Sequence, residues 1–313
     1  MAFSSTISSP VCFHNNPNPN LSPSSTTNKS RTRTPTLKAF PAATDVPLDG
    51  TTLAVIGGSS IAALSAVISL SDPEKRRQLQ AEEVGGGDKE VVREYFNNNG
   101  FQRWKKIYGQ TDDVNKVQLD IRLGHSKTVE NVMKILTDEG KSLERVTVCD
   151  AGCGTGLLSI LLAKQAAIVS ASDISAAMVA EAQAQAKQEL SGDDVMPKFE
   201  VKDLESLDGK YNTVVCLDVL IHYPQNKADA MIAHLASLAE ERLILSFAPK
   251  TFYYALLKRI GELFPGPSKA TRAYLHAEQD IERALQKVGW KIKNRGITTT
   301  QFYFAVLVEA VPA

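Results

Sequence analysis

From residue 146 to residue 248, short apolar runs alternate with longer stretches in which apolar residues recur every three or four positions. The first pattern is typical of buried strands and the second of amphipathic helices. Strands are predicted to follow one another at residues 146–149, 167–172, 198–201, 211–217 and 242–248. Because strand and helix alternate through five units, the pattern predicts an α/β fold with a mostly parallel sheet and right-handed crossovers.

Before this alternation the chain is helical and rich in aromatic residues. Residues 91–108 are predicted to form two helical pieces split at 97–100, and residues 117–136 a longer helix. The aromatic side chains of this N-terminal arm have two interpretations. They pack the arm on the core, or the hydroxyls of Tyr95 and Tyr108 make contacts inside a closing lid.

After the alternation the chain is less regular. Residues 249–276 form an insertion between strands, with an apolar helix at 252–263, and it is long enough to wall a large apolar substrate. Residues 278–288 predict a further helix. Residues 297–308 predict a hairpin or one long strand, with Gly289 and Gly296 as breaks.

The first 87 residues differ from the rest in composition. Residues 1–40 are rich in Ser, Thr, Asn and Pro and carry bases without acids, which is typical of a chloroplast transit peptide. A disordered tail is the alternative. Residues 41–87 hold an uncharged apolar run at 50–71 and then a polar, glycine-rich linker. The run is interpreted as a membrane anchor, a second targeting element or a buried helix.

The charge balance argues against a nucleic-acid partner. The whole chain has 35 basic and 35 acidic residues. The leader contains four bases, namely Lys29, Arg31, Arg33 and Lys38, so the remainder has 31 bases against 35 acids and a net charge of −4. A protein held by phosphate contacts would be basic. The four cysteines are too few for a disulfide framework and favour a reducing compartment.

A glycine motif follows the first predicted strand. Asp150, Gly152, Gly154 and Gly156 have the pattern D-x-G-x-G-x-G, and such glycines let a ligand approach backbone N–H groups. The dinucleotide fingerprint is spaced G-x-G-x-x-G, and an acid beside the loop repels phosphate. A carboxylate suits the α-amino group of S-adenosylmethionine, and the motif resembles the first motif of class I methyltransferases. The alternative is a glycine-rich turn of some other α/β protein.

Acidic residues follow the other predicted strands. Asp173 lies about twenty residues beyond the loop, where a carboxylate bonds a ribose diol in doubly wound folds. Its alternative role is to cap the next helix, a role that Ser175 also suits. Asp203 stands where methyltransferases of this class hold the adenine amino group. The expected cofactor contacts also include Gly152, Cys153, Gly154, Gly156, Ile174, Leu204 and Asp218.

Five segments together resemble one family. Residues 95–109 (YFNNNGFQRWKKIYG), 216–224 (CLDVLIHYP), 246–250 (SFAPK) and 264–268 (FPGPS), with the glycine motif at 150–156, are similar to the magnesium-protoporphyrin IX O-methyltransferases of chlorophyll biosynthesis. The resemblance covers about residues 89–309, so residues 88–313 are predicted to be the methyltransferase domain. It implies a Rossmann-like class I methyltransferase fold: a mostly parallel seven-stranded sheet with an N-terminal helical arm and a substrate-binding insertion.

The resemblance also implies a reaction and a set of site residues. The methyl group of S-adenosylmethionine would go to one propionate of magnesium-protoporphyrin IX and make the monomethyl ester, with Tyr108 and His222 as the catalytic pair. The expected substrate contacts are Tyr95, Arg122 and Tyr223. Magnesium is expected only within the porphyrin. No metal bound by the protein is predicted, because His234 and His276 lack partners at ligand spacing.

A location and a partner are implied in the same way. The protein would work in the chloroplast, with a stromal catalytic domain associated with the thylakoid or inner envelope membrane. A magnesium chelatase subunit is the implied partner. The two competing functions are methyl transfer to another small acceptor, such as a quinone precursor, and a non-catalytic module that binds the cofactor.

The chemistry makes modest demands on the catalytic pair. A propionate with a pKa near 4.3 is already ionised at stromal pH, so a general base is not required. Tyr108 and His222 are therefore expected to orient the carboxylate. His222 has three alternative roles: removing a proton from a protonated substrate, ligating the porphyrin magnesium, or an ordinary structural role at a helix start.

Overall fold

The structure is a computed structural model that describes residues 87–109, 111–192, 194–250 and 274–313. The predicted transit peptide, the apolar run at 50–71 and the predicted helix at 252–263 all lie outside these ranges, so their boundaries stay predictions. None of the helices described within residues 87–313 is long and apolar enough to cross a bilayer.

The described strands form one seven-stranded sheet in the order β3-β2-β1-β4-β5-β7-β6. Strands β1 to β5 are parallel, and β7 runs antiparallel to both of its neighbours. The predicted fold class is therefore confirmed. The strands are β1 Thr147–Ala151, β2 Ile168–Asp173, β3 Lys198–Val201, β4 Tyr211–Cys216, β5 Ala239–Phe247, β6 Trp290–Thr299 and β7 Phe304–Pro312.

Seven α-helices flank the sheet in the described ranges. They are α1 Asp88–Asn97, α2 Asn99–Tyr108, α3 Lys116–Leu136, α4 Leu157–Ala163, α5 Ala176–Glu189, α6 Gln225–Leu238 and α7 Glu278–Lys287. Successive strand residues face opposite cores, as the pleat requires. Leu243 and Leu245 of β5 pack with α6 and α7. Ile244, between them, packs with α3 and α4 on the other face.

The N-terminal arm is split at Asn98, as predicted, and it is fastened to the start of α5. Ser175 Oγ donates to the Phe96 carbonyl at 3.0 Å or to Asn97 Oδ1 at 2.9 Å. The same oxygen accepts from Met178 N at 3.2 Å and so caps α5. Ser175 therefore takes the capping role, which leaves the carboxylate of the preceding aspartate for other contacts.

The C-terminal hairpin corrects one prediction. Gly289 lies at a turn with φ +78°, as expected of a break. Gly296, however, lies within β6 and pairs with Leu307, so the strand continues through it. Strand β6 is at the edge of the sheet, and an added Cβ at Gly296 would meet no heavy atom within 4 Å, so a glycine is tolerated there. The β6–β7 loop is fastened to α3, because Thr300 Oγ1 donates to Asp120 at 2.6 Å.

Candidate active site

The glycine loop leads from β1 into α4. Gly152 has φ +87°, and a Cβ there would lie 2.2 Å from Val219 Cγ2. Gly156, also at φ +87°, precedes α4, and a Cβ there would meet a side chain of α5 at 2.9 Å. The backbone therefore needs glycine at both positions. The N–H groups of Gly152 and Cys153 donate to the Ser172 carbonyl at 2.8 Å, which ties the loop to β2.

Two aspartate carboxylates border this loop, of which Asp150 is buried and Asp173 is half-buried. Asp150 accepts a 2.6 Å hydrogen bond from Ser159 Oγ. Asp173 accepts from Gly154 N at 3.0 Å and from Ser175 N at 2.9 Å. Burial raises the pKa of each carboxyl to about 6. Both are thus ionised near neutral pH. They suit an amino group and a pair of hydroxyls, which are the polar groups that S-adenosylmethionine carries besides its carboxylate and its base.

A cavity of about 790 Å³ opens at the carboxyl ends of β1, β2 and β4. Its volume is in the usual range for a small-molecule site. The predicted site residues that line it are Tyr108, Asp150, Gly152, Cys153, Gly154, Asp173, Ile174, Leu204, Asp218, His222 and Tyr223. The predicted residues outside its lining are Tyr95, Arg122, Gly156 and Asp203. Most of the expected site is therefore brought together, although contact with a ligand stays a prediction for each residue.

Aromatic rings form one wall of this cavity. The ring of Tyr108 lies 5.2 Å from that of Trp104 and 4.5 Å from that of His125, measured between centroids. Phe96 meets His222 edge-on at 5.3 Å. Flat, polarisable surfaces of this kind suit a large planar ligand. The arm therefore packs on the core and also lines the cavity, while contacts of the tyrosine hydroxyls inside a closing lid stay a prediction.

Tyr108 is the polar group of that wall. Burial raises the pKa of its hydroxyl well above the ordinary value, and the charges of Asp218 and Asp173 raise it further. The hydroxyl is therefore protonated at any physiological pH and is a hydrogen-bond donor. His222 ends the short 3₁₀ turn Leu220–His222, directly after β4, so both members of the predicted catalytic pair face one cavity.

Asp218 is the centre of a hydrogen-bond network on the cavity floor. Its carboxylate lies 2.8 Å from His125 Nδ1 and accepts from Ser246 Oγ at 2.9 Å and from the Tyr303 hydroxyl at 2.8 Å. Burial alone would raise the pKa of Asp218, but the hydrogen bonds from His125, Tyr303 and Ser246 hold it below its ordinary value. Its backbone has φ +57°, a strained conformation for a non-glycine residue that often marks a functional site.

No local pattern in the sequence marks Tyr303 as a site residue. Eighty-five residues separate it from Asp218, and it belongs to a segment predicted only as a hairpin or one long strand. The structure brings it to the cavity because β7 returns beside β5. Gly124 of α3 permits this approach, since a Cβ there would lie 2.4 Å from the Tyr303 ring. The remaining unpredicted lining residues are mostly apolar.

Tyr95 and Tyr223 differ in position. Tyr95 is buried outside the cavity lining, and its hydroxyl accepts a 3.3 Å hydrogen bond from Trp104 Nε1, so it packs the arm. Tyr223 is buried and lines the cavity, and burial raises the pKa of its hydroxyl. Of the two, Tyr223 is therefore the one placed to meet a substrate.

Asp203 lies outside the main cavity. Its carboxylate is 3.1 Å from Lys89 Nζ and caps the turn Leu204–Ser206 by accepting from Ser206 N at 3.0 Å. It borders a second cavity of about 330 Å³, while Leu204 reaches the main one. The expected contact with the adenine amino group stays a prediction, and the structure gives Asp203 a separate task in holding α1.

Arg122 is not in the cavity lining either. Its guanidinium donates to the carbonyls of Ile107 and Lys106 at 2.7 Å and of Thr111 at 2.9 Å. These carbonyls are at or just beyond the C-terminus of α2, where intrahelical donors run out and a cation is favoured. The structure therefore assigns Arg122 to the end of α2 and gives no support to its expected contact with substrate.

Replacement of Arg122 by methionine is expected to lower the free energy of unfolding by about 1–3 kcal/mol, because three carbonyls lose a charged donor. Urea denaturation of the full chain measures this. Arg122→Lys should recover only part of the loss, since an ammonium lacks the planar fork. A raised KM for substrate with an unchanged free energy of unfolding would contradict this and return Arg122 to the substrate site.

Cys149, Cys153 and Cys216 are free thiols and buried. Burial raises the pKa of each, that of Cys149 to about 12, so the thiols stay protonated. Buried, protonated thiols of this kind are typical of structural cysteines. Within the described ranges, no group of three or more His, Cys, Asp or Glu side chains is arranged to hold a metal ion.

The fold and the site together define a class I S-adenosylmethionine-dependent methyltransferase. A family model described as a methyltransferase domain matches residues 148–241, and one described as the magnesium-protoporphyrin IX methyltransferase C-terminus matches residues 216–312. The magnesium protoporphyrin IX methyltransferase, chloroplastic, of Arabidopsis thaliana is 73% identical over 282 residues, 90% of each chain. The chain belongs to the magnesium-protoporphyrin IX methyltransferase family.

Two further comparisons support this membership. The magnesium-protoporphyrin O-methyltransferase of Synechocystis sp. is 55% identical over 224 residues, which is 72% of this chain and 96% of that protein. A crystal structure of the magnesium protoporphyrin IX methyltransferase from Synechocystis PCC 6803 with bound S-adenosylhomocysteine has a TM-score of 0.66 at 53% identity and covers 72% of this chain and all of that one. The suspected family is thus confirmed over the methyltransferase domain.

Proposed function

We propose that this protein transfers the methyl group of S-adenosylmethionine to a propionate carboxylate of magnesium-protoporphyrin IX and releases the monomethyl ester. The observation that carries the proposal is the single cavity that unites the glycine loop, two ionised aspartates and an aromatic wall bearing Tyr108 and His222. Family membership supplies the substrate class. The cavity supplies space for a flat apolar ligand beside a site for the cofactor.

The cofactor fits the residues present. Gly152 and Gly154 bring backbone without side chains to the cavity, and Asp150 and Asp173 supply acceptors beside them. We assign Asp150 to the amino group and Asp173 to the ribose hydroxyls, with Leu204 and Ile174 near the base. When bound, the cofactor supplies a methyl carbon made electrophilic by its sulfonium. Magnesium enters only as part of the porphyrin.

The protein's contribution is orientation and exclusion of water. Methyl transfer joins an anion and a cation into neutral products, so an apolar cavity of low dielectric favours the transition state over the separated ions. Tyr108, protonated at all relevant pH values, donates to the carboxylate and fixes one oxygen. His222 holds it from the β4 side of the cavity. Such positioning contributes as much as about 7–11 kcal/mol in favourable cases.

The direct test is to incubate the full chain with S-adenosylmethionine and magnesium-protoporphyrin IX and to measure product mass. We expect a gain of one methyl group and one equivalent of S-adenosylhomocysteine. A quinone precursor serves as the competing acceptor and should give no product. Cofactor binding without ester formation would refute the proposal and favour a non-catalytic module.

Cofactor affinity is expected to fall as pH is lowered through about 6. The folded-state pKa of Asp150 and of Asp173 is about 6, so each is ionised above this value and becomes protonated below it. Calorimetric titration with S-adenosylhomocysteine should show constant affinity between about pH 7 and 8. Below pH 6 it should weaken by roughly tenfold per unit for each group that must be ionised.

Asp173→Asn is the control for this titration, because it removes one ionisation and should give a flatter profile at lower affinity. The effect of pH on folding stability runs in the opposite direction from its effect on cofactor affinity. The ligand-free folded protein binds these protons more tightly than the unfolded chain, so their contribution to stability rises as pH falls from about 6 toward 4. Equal affinity for S-adenosylhomocysteine above and below pH 6 would contradict the assignment.

We also propose that the protein works in the chloroplast stroma, bound to thylakoid or inner envelope membrane through residues 41–87, with a magnesium chelatase subunit as partner. The chloroplastic relative and the composition of residues 1–40 support the chloroplast location. Fractionation of plastids expressing the chain with and without residues 50–71 tests the membrane contact. Equal recovery of both forms in the soluble fraction would refute it.

A further inference from the structure

The charged residues that line the cavity are unusual for a site that binds a carboxylate. Its described lining includes three aspartates, Asp150, Asp173 and Asp218, and contains no lysine or arginine within those residues. His125 and His222 are the lining side chains in the described ranges that can carry positive charge. A substrate carboxylate entering this field is repelled unless one of them, or the cofactor, offsets the negative charge.

Arg122, the expected cation, is committed elsewhere. All three of its described hydrogen bonds go to backbone carbonyls at or just beyond the end of α2. His125 is one turn further along α3 and does line the cavity. The helix therefore presents a second group of basic character three residues beyond the arginine, and this one faces the site.

The hydrogen bond between His125 and Asp218 shows which ring nitrogen of the histidine carries a proton. Nδ1 lies 2.8 Å from Asp218 Oδ2, and an ionised carboxylate only accepts, so Nδ1 is the donor. Nε2 is on the opposite side of the ring and makes no hydrogen bond with the residues that the structure describes. The ring also lies against Tyr108, with 4.5 Å between centroids. The second nitrogen is thus available to a ligand, and the ring that carries it lines the cavity beside the proposed catalytic tyrosine.

We propose that His125 is the substrate's carboxylate anchor: backed by Asp218, it binds the porphyrin propionate through Nε2 as an imidazolium. In the complex the ring is flanked by two carboxylates, and this arrangement favours the charged form and a donor on each nitrogen. The inference rests on the proposed function and deepens it. His125 supplies the recognition of negative charge, while Tyr108 and His222 align the reacting oxygen.

Asp218 is the positioning residue of this anchor. Ser246 and Tyr303 donate to its carboxylate, so the side chain is held in one rotamer and presents Oδ2 to the imidazole. Tyr303 also contacts Thr128 on α3, the same helix that carries His125, at 3.1 Å. The network joins α3, the loop after β4 and the β6–β7 loop around one histidine. This explains why so many donors converge on one half-buried carboxylate.

The test compares two ligands that share the porphyrin and differ in whether the propionates are charged: magnesium-protoporphyrin IX and its dimethyl ester. Binding to the full chain is followed by porphyrin fluorescence in the presence of S-adenosylhomocysteine, so no turnover occurs. In His125→Gln, affinity for the dicarboxylate should fall roughly 10- to 100-fold, whereas affinity for the dimethyl ester should stay within about twofold. Tyr303→Phe should show a smaller loss for the dicarboxylate alone.

His234→Gln is the matched control. His234 lies on α6 outside the cavity lining, and its ring bonds the Leu207 carbonyl. It should leave both affinities unchanged. If His125→Gln weakens the binding of both ligands by the same factor, or weakens the binding of neither, the proposal is overturned and the ring is only a packing element. Ester formation by the unmodified chain tests the proposed function separately, so the two failures are distinguishable.

If His125→Gln does not fold, the unmodified chain labelled with ¹⁵N-histidine decides the question. The dicarboxylate should turn one histidine into an imidazolium with both nitrogens protonated, and the dimethyl ester should not. The His222→Ala chain must retain that signal, which separates His125 from the other histidine of the cavity. Absence of the signal, or its loss in His222→Ala, overturns the proposal.

Discussion

Gly152→Ala is expected to abolish cofactor binding and, with it, methyl transfer. The position has φ +87°, which costs an L-residue about 1–2 kcal/mol, and the new Cβ would lie 2.2 Å from Val219 Cγ2. Valine is stiff about χ1 and cannot swing its methyl group away. The glycine loop must therefore shift, and with it the backbone that faces the cofactor. Calorimetric titration with S-adenosylhomocysteine and the methyl-ester assay measure both losses.

Two variants make this expectation specific. Gly140→Ala carries the same backbone cost at φ +71° but meets no atom within 4 Å and is remote from the cavity, so it should lose some stability and keep cofactor affinity. Val219→Ala removes the clashing methyl group and, combined with Gly152→Ala, should recover part of the binding. Undiminished binding in Gly152→Ala alone would show that the loop is not held by this contact.

Tyr108→Phe and His222→Ala are each expected to lower kcat by roughly 10²–10³-fold while the affinity for S-adenosylhomocysteine stays nearly unchanged. Removing the hydroxyl leaves the ring and its contacts with Trp104 and His125 in place, so the loss would report the hydrogen bond alone. Both residues line the cavity, but neither belongs to the glycine loop or to its anchor on β2. Initial rates at saturating cofactor and substrate give kcat directly.

Tyr211→Phe is the matched control, because its hydroxyl bonds the Asp208 carbonyl at an exposed position outside the cavity lining. It should leave kcat unaltered. An unchanged kcat in both Tyr108→Phe and His222→Ala would remove the catalytic assignment. Comparing magnesium-protoporphyrin with the metal-free porphyrin separates two roles for His222: equal rates would argue against ligation of the magnesium.

Local signals in the sequence were sufficient for the part of the fold that holds the cofactor. Strand β1, the glycine motif and the helix after it are contiguous, and Ser175 marks the start of α5 by a preference that operates within three residues. The acids after β1 and β2 reach one edge because parallel strands end together. Asp150 and Asp173 could therefore be placed beside the loop from the sequence alone.

Features that depend on distant parts of the chain could not be predicted in this way. Whether a guanidinium faces a ligand or the end of a neighbouring helix is decided by tertiary packing, and no local pattern predicts that the Arg122 guanidinium bonds the end of α2. The partners of Asp218 come from α3, β5 and the β6–β7 loop, and no spacing rule connects them. A local pattern does not show whether a strand lies at the edge of a sheet, so it predicts a break at Gly296 where the edge strand β6 in fact continues.

The return of β7 between β5 and β6 sets an order for building the molecule. The ribosome synthesises the glycine loop about 150 residues before Tyr303. The strands and helices around this loop can therefore pack before the C-terminal hairpin β6–β7 has been synthesised. Until Tyr303 is in place, the Asp218 carboxylate lacks one of its donors, and until β7 pairs, β6 has no neighbour in the described sheet. The side of the cavity that Tyr303 forms is thus completed in a late, non-local folding step, after the aromatic arm and the glycine loop have both been synthesised.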